Sequence, residues 1–248
     1  MTSVTLHAAD EWGHLLASGV HGSPGAMLKM LVGEGGRTVR AIERASGAAV
    51  ATDWATAVTL RGAPGAVARA RAALGAVLVP AATIDVAGEW GPLVAEGVYA
   101  SAEACTRHLL GPRSGRLRAV EATTGARVWA SVDGRHIYIS GRGELVAAAR
   151  AAIDVIVRPA ACIDVRAQWG GAVGHGAYAG LHDVLRRLLG GHWNDGRSIL
   201  LTSGGLVWAA MDHTRVFVAA PPETVELVRA ELDAAVQAQR PVEEWSGP

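Results

Sequence analysis

The chain repeats itself three times. A tryptophan that is followed by glycine recurs at Trp12, Trp90 and Trp169, at intervals of 78 and 79 residues. The same intervals separate the members of two glycine series, which are Gly33, Gly111 and Gly190, and Gly47, Gly125 and Gly204. The stretches around them, residues 31–50, 109–128 and 188–207, are versions of one glycine turn followed by one helix. Self-similarity at a fixed period indicates that one structural unit is built three times.

We place the repeats at residues 1–79, 80–158 and 159–248, the last with a short C-terminal tail. Pro80 and Pro159 stand at matching positions in the two joints. No linker rich in glycine and serine separates the repeats, so we expect them to pack closely. Half of the residues are hydrophobic, which is enough to bury a substantial core.

Repeat 2 shows the order of predicted elements most clearly. An alternating apolar stretch is followed by a Trp-Gly segment, a short helix that Ser101 caps, the glycine turn, and a second helix that ends at Gly125. Two strands joined by Asp133-Gly134 and an alanine-rich amphipathic helix complete it. This order predicts an α+β fold of three tandem repeats, each a small antiparallel β-sheet covered on one face by about three helices.

The aromatic residues at repeated positions allow two interpretations. We expect Trp12, Trp90 and Trp169 to anchor the core or the contacts between repeats, although tryptophan can also stack on nucleobases. The Trp-Gly segment is expected to form an extra strand or hairpin that bridges neighbouring repeats, with packing roles for its matched aromatic residues, which are His21, Tyr99 and Tyr178. Three further tryptophans, Trp54, Trp129 and Trp208, either pack on the hairpin or line a groove.

The turn and the residues after it resemble the KH domain of the eukaryotic type. The family pattern is an apolar residue, Gly-x-x-Gly, a basic residue, an apolar helix and then Thr-Gly-Ala. Val32, the run Gly33-Glu34-Gly35-Gly36, Arg37 and the triplet Ser46-Gly47-Ala48 match it. The resemblance implies KH-like repeats that bind single-stranded RNA or DNA, in which the turn clamps the nucleotide backbone and the bases lie on an apolar groove.

The resemblance implies a specific set of nucleic-acid-binding residues. In repeat 1 they are Lys29, Leu31, Val32, Gly33, Glu34, Gly35, Gly36, Arg37, Val39, Arg40 and Ile42, with Leu28 and Val50 as further groove walls. In repeat 2 they are Arg113, Arg116 and Arg118, which cluster around the turn together with Arg107. Arg37 and Arg40 are the expected phosphate partners.

The turns of the repeats depart from the pattern to different degrees. Glu34 places an acidic residue beside the expected phosphate, and repeat 2 replaces the last three turn residues with Pro112, Arg113 and Ser114. Repeat 3 has His192 and Trp193, which indicates a closed or repurposed site. The formal charges of the three repeats are +2, +1 and −3. We therefore expect nucleic-acid binding mainly by repeat 1, then by repeat 2.

Several classes of function lack their sequence signals. The formal charge is zero, the histidines are scattered, and the two cysteines show no metal-ligand spacing, so we expect no metal, no cofactor and no disulfide framework. No catalytic motif is present, and the expectation is a non-enzymatic protein. Neither a signal peptide nor a membrane span is indicated, which favours a soluble intracellular protein. The alternative function is a protein-interaction scaffold of degenerate KH modules that accepts a peptide or a second copy of the chain.

Overall fold

The structure is a computed structural model that describes residues 1–190 and 198–238. The elements of repeat 1 are β1 (Thr2–His7), α1 (Ala8–Ala17), α2 (Pro24–Val32), a 3₁₀ turn (Glu34–Gly36), α3 (Arg37–Ser46), β2 (Ala49–Thr52), β3 (Ala57–Gly62) and α4 (Pro64–Leu78). Those of repeat 2 are β4 (Ala82–Asp85), α5 (Val86–Ala95), α6 (Ala102–Leu110), a 3₁₀ turn (Pro112–Ser114), α7 (Gly115–Thr124), β5 (Arg127–Ala130), β6 (His136–Ser140) and α8 (Gly143–Val157).

Repeat 3 begins in the same way. Its described elements are β7 (Ala161–Asp164), α9 (Val165–Gly174), α10 (Leu181–Leu189), β8 (Ile199–Leu200), β9 (Leu206–Ala209), β10 (Arg215–Ala219), a 3₁₀ turn (Pro222–Thr224) and α11 (Val225–Gln237). Residues 191–197 of the third glycine turn, which include His192 and Trp193, and the C-terminal tail from residue 239 onward lie outside the described residues.

Each repeat contributes one antiparallel sheet. The strand orders are β1-β3-β2, β4-β6-β5 and β7-β10-β9-β8. The last strand of each repeat lies in the middle because it pairs both with the hairpin strand before it and with the first strand of the repeat. The closing helix follows that central strand, and α4 packs on β1 and β3. The predicted α+β fold, with a small antiparallel sheet and helices in each repeat, is confirmed.

The Trp-Gly segment is a helix in every repeat, so the expectation of an extra strand or hairpin is wrong. Val86, Trp90 and Leu93 are spaced by four and three residues and are all buried, which is the spacing of one helical face. Trp12 and Trp169 occupy the same buried position in α1 and α9. The prediction that these three tryptophans anchor the core is therefore confirmed.

The third copy of the turn and helix does not contain the expected helix over residues 198–205. Ile199–Leu200 instead forms a short strand that pairs with β9. Ile199 and Leu201 are buried while Leu200 between them is half-buried, and this alternation is the period of a strand. β-branched Ile199 and the glycine pair that follows favour a hairpin over a helix.

Two compact lobes divide the chain. The first lobe comprises Met1–Asp85 and Arg118–Ala149, and the second comprises Val86–Leu117 and Arg150–Pro248. The first lobe therefore holds repeat 1 and the sheet of repeat 2, while the second holds repeat 3 together with α5 and α6. These divisions differ from the repeat boundaries, which stay a prediction from sequence.

Within the first lobe, repeats 1 and 2 are joined by an aromatic contact. The indole Nε1 of Trp129 donates to the carbonyl of Val20 at 2.9 Å, and its ring stacks on His21 with centroids 5.4 Å apart. The His21 ring nitrogen Nε2 bonds in turn to the carbonyl of Leu78 at 2.9 Å. The segment after α1 thus bridges neighbouring repeats, as predicted.

Within the second lobe, repeats 2 and 3 are joined in the same way. Trp208 Nε1 donates to the carbonyl of Val98 at 3.1 Å, and the indole stacks on Tyr99 at 5.6 Å. The Tyr99 hydroxyl donates to the carbonyl of Val157 at 2.7 Å. The packing interpretation of Trp129 and Trp208 is therefore correct, and both act at joints between repeats.

Candidate nucleic-acid interface

The two helices of repeat 1 that flank the glycine turn are fixed by local signals. Ser23 caps α2 by accepting a hydrogen bond from the Ala26 amide at 3.1 Å, and Pro24 occupies the first helical position. The helix buries Leu28 and Leu31 and ends at Gly33, whose φ is 69°. The turn is therefore held between a capped, well-packed helix and the start of α3.

The turn itself has a left-handed backbone that glycine adopts most readily. Its φ angles are 69° at Gly33, 56° at Gly35 and 78° at Gly36. A Cβ atom on Gly33 would lie 2.2 Å from the Thr38 side-chain oxygen, so the chain approaches α3 too closely for any side chain there. A Cβ atom on Gly35 would meet nothing within 4 Å. At Gly35 the turn is therefore bare backbone that faces open space.

Helix α3 begins at this bare tip without a side-chain cap. Gly36 is its N-cap residue and has no side chain that could accept a hydrogen bond from the first helical amides. The amide groups and the positive end of the helix dipole favour an anion at such a terminus. Repeat 1 thus combines an uncapped helix start with a surface that a phosphodiester can approach closely.

The basic residues predicted for this site take different positions. The Arg40 guanidinium donates to the carbonyl of Gly35 at 2.6 Å and so braces the turn across its own tip. A Cβ atom on Gly36 would lie 2.9 Å from Arg40 Nη1, so the brace also depends on glycine. Lys29 and Arg37 are exposed on either side of the turn. Arg40 thus stabilises the shape of the turn, while Lys29 and Arg37 supply exposed positive charge.

Most of the predicted groove walls belong to the core. Leu28, Leu31 and Ile42 lie in the core cluster of the first lobe, and Val32 is also buried. Val39 and Val50 are half-buried and so retain surface that a base could cover. The apolar surface beside the turn is narrower than the family pattern implies.

A glutamate that the sequence reading overlooked borders this surface. The Glu43 carboxylate accepts a hydrogen bond from the Val50 amide at 2.8 Å, which satisfies an N–H group on the outer edge of β2. Glu121 accepts from the Val128 amide at 2.9 Å in repeat 2. The two glutamates are 78 residues apart, so alignment of the repeats would have revealed them. The Val50 N–H group is therefore already hydrogen-bonded within the protein and does not donate to a ligand.

Repeat 2 keeps the shape of the turn although its sequence has changed. Gly111, Arg113 and Ser114 have φ angles of 65°, 49° and 58°, which match the three glycines of repeat 1 one by one. The Ser114 amide bonds to the Gly111 carbonyl at 3.2 Å, as the Gly36 amide bonds to the Gly33 carbonyl at 3.1 Å. Left-handed backbone at a residue other than glycine costs on the order of 1 kcal/mol. The turn shape is thus retained despite strain.

The three arginines predicted to bind nucleic acid in repeat 2 differ in their contacts. Arg116 is half-buried in the second lobe, where its guanidinium donates to the carbonyl of His108 and, at 3.2 Å, to that of Ser198. Its stem covers Gly111, since a Cβ atom there would lie 2.8 Å from Arg116 Cγ. Arg113 is exposed at the turn, and Arg118 is exposed on α7. Of these three, Arg116 has the clearest structural role.

The described residues were also compared with the requirements of a metal site, a reactive thiol and a membrane span. No group of three histidine, cysteine or acidic side chains within residues 1–190 and 198–238 could hold a metal ion. Burial raises the pKa of the Cys105 thiol to about 12, against the opposing charge of Arg158, so the thiol stays protonated at neutral pH. Over the same residues, no helix has the length and apolar character needed to cross a membrane.

No protein-family model matches the chain, and no curated protein matches it. Among solved structures, it is similar to Dim2p from Pyrococcus horikoshii OT3, with 18% identity, coverage of 64% of this chain and 92% of that chain, and a TM-score of 0.29. It is also similar to the complex of a/eIF2alpha, aDim2p and rRNA from the same organism (16% identity, 70% and 91% coverage, TM-score 0.30). A protein of unknown function from Aeropyrum pernix, APE0754, gives 14% identity, 63% and 82% coverage and a TM-score of 0.28. These three TM-scores are all below 0.5, so the likenesses indicate nothing about function.

Proposed function

We propose that the protein binds single-stranded RNA or DNA without catalysis, and that its repeats are tandem KH modules of the eukaryotic type. The observation that carries this proposal is the turn of repeat 1. Its bare, left-handed backbone at Gly35 leads into the uncapped N-terminus of α3. This is the geometry that a phosphodiester backbone requires for close approach to peptide amides.

The clamp works through a division of roles. Gly33 allows the chain to turn tightly against Thr38, and Arg40 holds the Gly35 carbonyl. The exposed charges of Lys29 and Arg37 attract the phosphates. Bases then lie on the half-buried surface of Val39 and Val50. Because this surface is narrow, most of the affinity comes from the backbone, and sequence preference is weak.

Repeat 2 assists repeat 1. Its turn has the same backbone shape, and exposed Arg113 adds a positive charge at the position of Gly35. Repeat 3 carries a formal charge of −3 and takes no part in binding. Affinity should fall as the salt concentration rises, with a slope of log affinity against log salt of about −0.7 per contacted phosphate on a single strand. Because the cationic contacts are few, this fall should be modest.

Fluorescence anisotropy with mixed-sequence single-stranded RNA and DNA at low and moderate salt tests the proposal. Gly35→Asp places a carboxylate at the tip of the clamp and should abolish binding. Gly19→Asp is a matched control, because Gly19 also has a positive φ, 73°, and also has nothing within 4 Å of a Cβ atom. Equal binding by both variants, or no binding by the unmodified protein, would refute the clamp.

A protein-interaction scaffold is the second candidate. The observation that favours it is the burial of Leu31, Val32 and Ile42, which leaves only a narrow apolar surface for bases beside the turn. Sedimentation velocity over a range of concentrations distinguishes the two. Self-association that Gly35→Asp leaves unchanged, together with no anisotropy change on either nucleic acid, would favour the scaffold.

A further inference from the structure

Trp54 is exposed at the tip of the hairpin between β2 and β3. Its relative accessibility is 61%, whereas Trp12, Trp90, Trp129, Trp169 and Trp208 are buried or half-buried. A tryptophan that packs in a core buries a large apolar area, which stabilises the fold. An indole exposed to water does not contribute this free energy of burial. The side chain therefore contributes little to the stability of the first lobe.

The backbone of Trp54 is strained and firmly held. Its φ is 65°, a conformation in which a bulky residue is a genuine outlier. The Asp53 carboxylate accepts hydrogen bonds from the amides of Ala55, Thr56 and Ala57 at 2.8–2.9 Å and from the Thr56 hydroxyl at 2.8 Å. The Trp54 amide donates to the Thr52 hydroxyl at 3.0 Å. Asparagine or glycine would fit this position with less strain, and strain of this kind accumulates at functional sites.

The hairpin tip lies beside the start of the helix that leads into the clamp. A Cβ atom on Gly25 would be 4.0 Å from the Trp54 carbonyl oxygen, so Trp54 adjoins the first turn of α2. Eight residues separate Gly25 from Gly33, which is about 12 Å along the helix axis. Trp54 and the glycine turn therefore stand at opposite ends of α2. A KH turn holds about four nucleotides, so the next bases along the strand come within reach of Trp54.

The other repeats place smaller apolar residues at the same tip. Val132 in repeat 2 and Met211 in repeat 3 are 77% and 50% exposed. Three residues before the tip is the position at which a tryptophan joins neighbouring repeats. Repeats 2 and 3 have Trp129 and Trp208 there, while repeat 1 has exposed Ala51. Repeat 1 thus has its tryptophan at the tip instead of the joint, and its turn is the one that contains Gly33, Gly35 and Gly36.

We propose that the indole of Trp54 stacks on a nucleobase of the strand whose backbone the Gly33–Gly36 turn clamps. This inference rests on the proposed function. Stacking requires an unpaired base and tolerates any base identity, because every base has a π face. Trp54 thus makes repeat 1 selective for single strands over duplexes, a selectivity that backbone contacts at the turn alone do not supply.

Trp54→Ala and Trp54→Phe test the proposal against two matched oligonucleotides, an ordinary single strand and one of equal length with abasic sites throughout. Loss of one stacked base weakens binding by about 5- to 150-fold. We expect Trp54→Ala to bind the ordinary strand that much more weakly, Trp54→Phe to remain within a few-fold of the unmodified protein, and all three to bind the abasic strand equally. Thermal unfolding of each variant confirms that the fold is intact.

The outcomes separate the inference from the function on which it rests. If Trp54→Ala binds the ordinary strand as tightly as the unmodified protein while Gly35→Asp does not bind, stacking is overturned and the clamp stands. If Trp54→Ala weakens binding of the ordinary and abasic strands by the same factor, the indole acts on the backbone and stacking is again overturned. If the unmodified protein binds neither strand, the proposed function fails, and the inference fails with it.

Discussion

His108 should make the second lobe sensitive to mild acid. Its ring is buried at the joint of repeats 2 and 3, where Nε2 bonds to the Ile156 carbonyl at 3.0 Å and the ring lies 4.4 Å from that of Trp208. Burial, and to a lesser extent the positive charge of Arg116, lower the pKa of His108 to about 3, although the hydrogen bond to the Ile156 carbonyl raises it. The imidazole is therefore neutral in the folded protein at any pH above about 3.

The sign and size of the effect follow from proton linkage. The unfolded chain binds a proton at His108 near its ordinary pKa of 6.5, while the folded chain does not until about 3. Stability from this group is thus fully present above pH 6.5 and falls as the pH falls, by about 1.4 kcal/mol per pH unit. At about pH 5, one and a half units lower, the loss is about 2 kcal/mol. Most carboxyl groups titrate below this window.

Urea unfolding followed by circular dichroism between about pH 8 and pH 5 measures this loss. His108→Gln keeps a donor for the Ile156 carbonyl but does not titrate, so its free energy of unfolding should depend less on pH by about 1.4 kcal/mol per unit. Some dependence remains, because burial also lowers the pKa of His21 in the first lobe. Equal pH slopes for the two proteins would refute the assignment of a buried neutral imidazole.

Three further predictions concern backbone strain and packing, and urea or thermal denaturation measures each. Gly33→Ala should destabilise the protein by about 2 kcal/mol or more, because φ is positive and Thr38 blocks the new methyl group. Gly35→Ala should destabilise it by only about 1 kcal/mol, because φ is positive but the space around the new methyl group is open. Trp208→Ala should cost about 3–5 kcal/mol, since the fully buried indole joins two repeats. Trp54→Gly should stabilise the fold by about 1 kcal/mol, because it relieves the left-handed strain, and the opposite sign would show that the indole contributes to packing.

The periodicity of the sequence predicted the repeated fold but not every element in it. In the Trp-Gly segment, Gly88, Gly91 and Pro92 obscured the helical spacing of buried residues, because glycine and proline are the strongest helix breakers. Tertiary burial of Trp90 overrides that preference in α5. In repeat 3 the opposite error occurred, because a helix was carried over by analogy although the local pattern at Ile199 and Leu201 alternates as in a strand.

The features of the candidate site were also predicted only in part from the sequence. The glycines of repeat 1 predicted a turn between two helices, and the structure adds that its backbone is left-handed, a conformation that few other residues adopt. Nothing in Pro112-Arg113-Ser114 predicts the same turn, because residues other than glycine rarely adopt the positive φ angles that Arg113 and Ser114 have. Nor could local sequence show that Leu31 and Ile42 serve the core instead of a groove. Residues that a motif assigns to binding can be required for packing, and the exposure of each side chain decides between the two.

The turn of repeat 2 raises the question of why a strained residue is retained there. Glycine at residue 113 would adopt a φ of 49° without strain, so the backbone of the turn does not require arginine there. If its role is a phosphate contact, Arg113→Gly should keep the fold and the shape of the turn while it weakens binding of single strands. The slope of log affinity against log salt should then fall by about 0.7, the value for one phosphate contact on a single strand. An unchanged slope would mean that the charge of Arg113 does not reach the nucleic acid, and repeat 1 would bind alone.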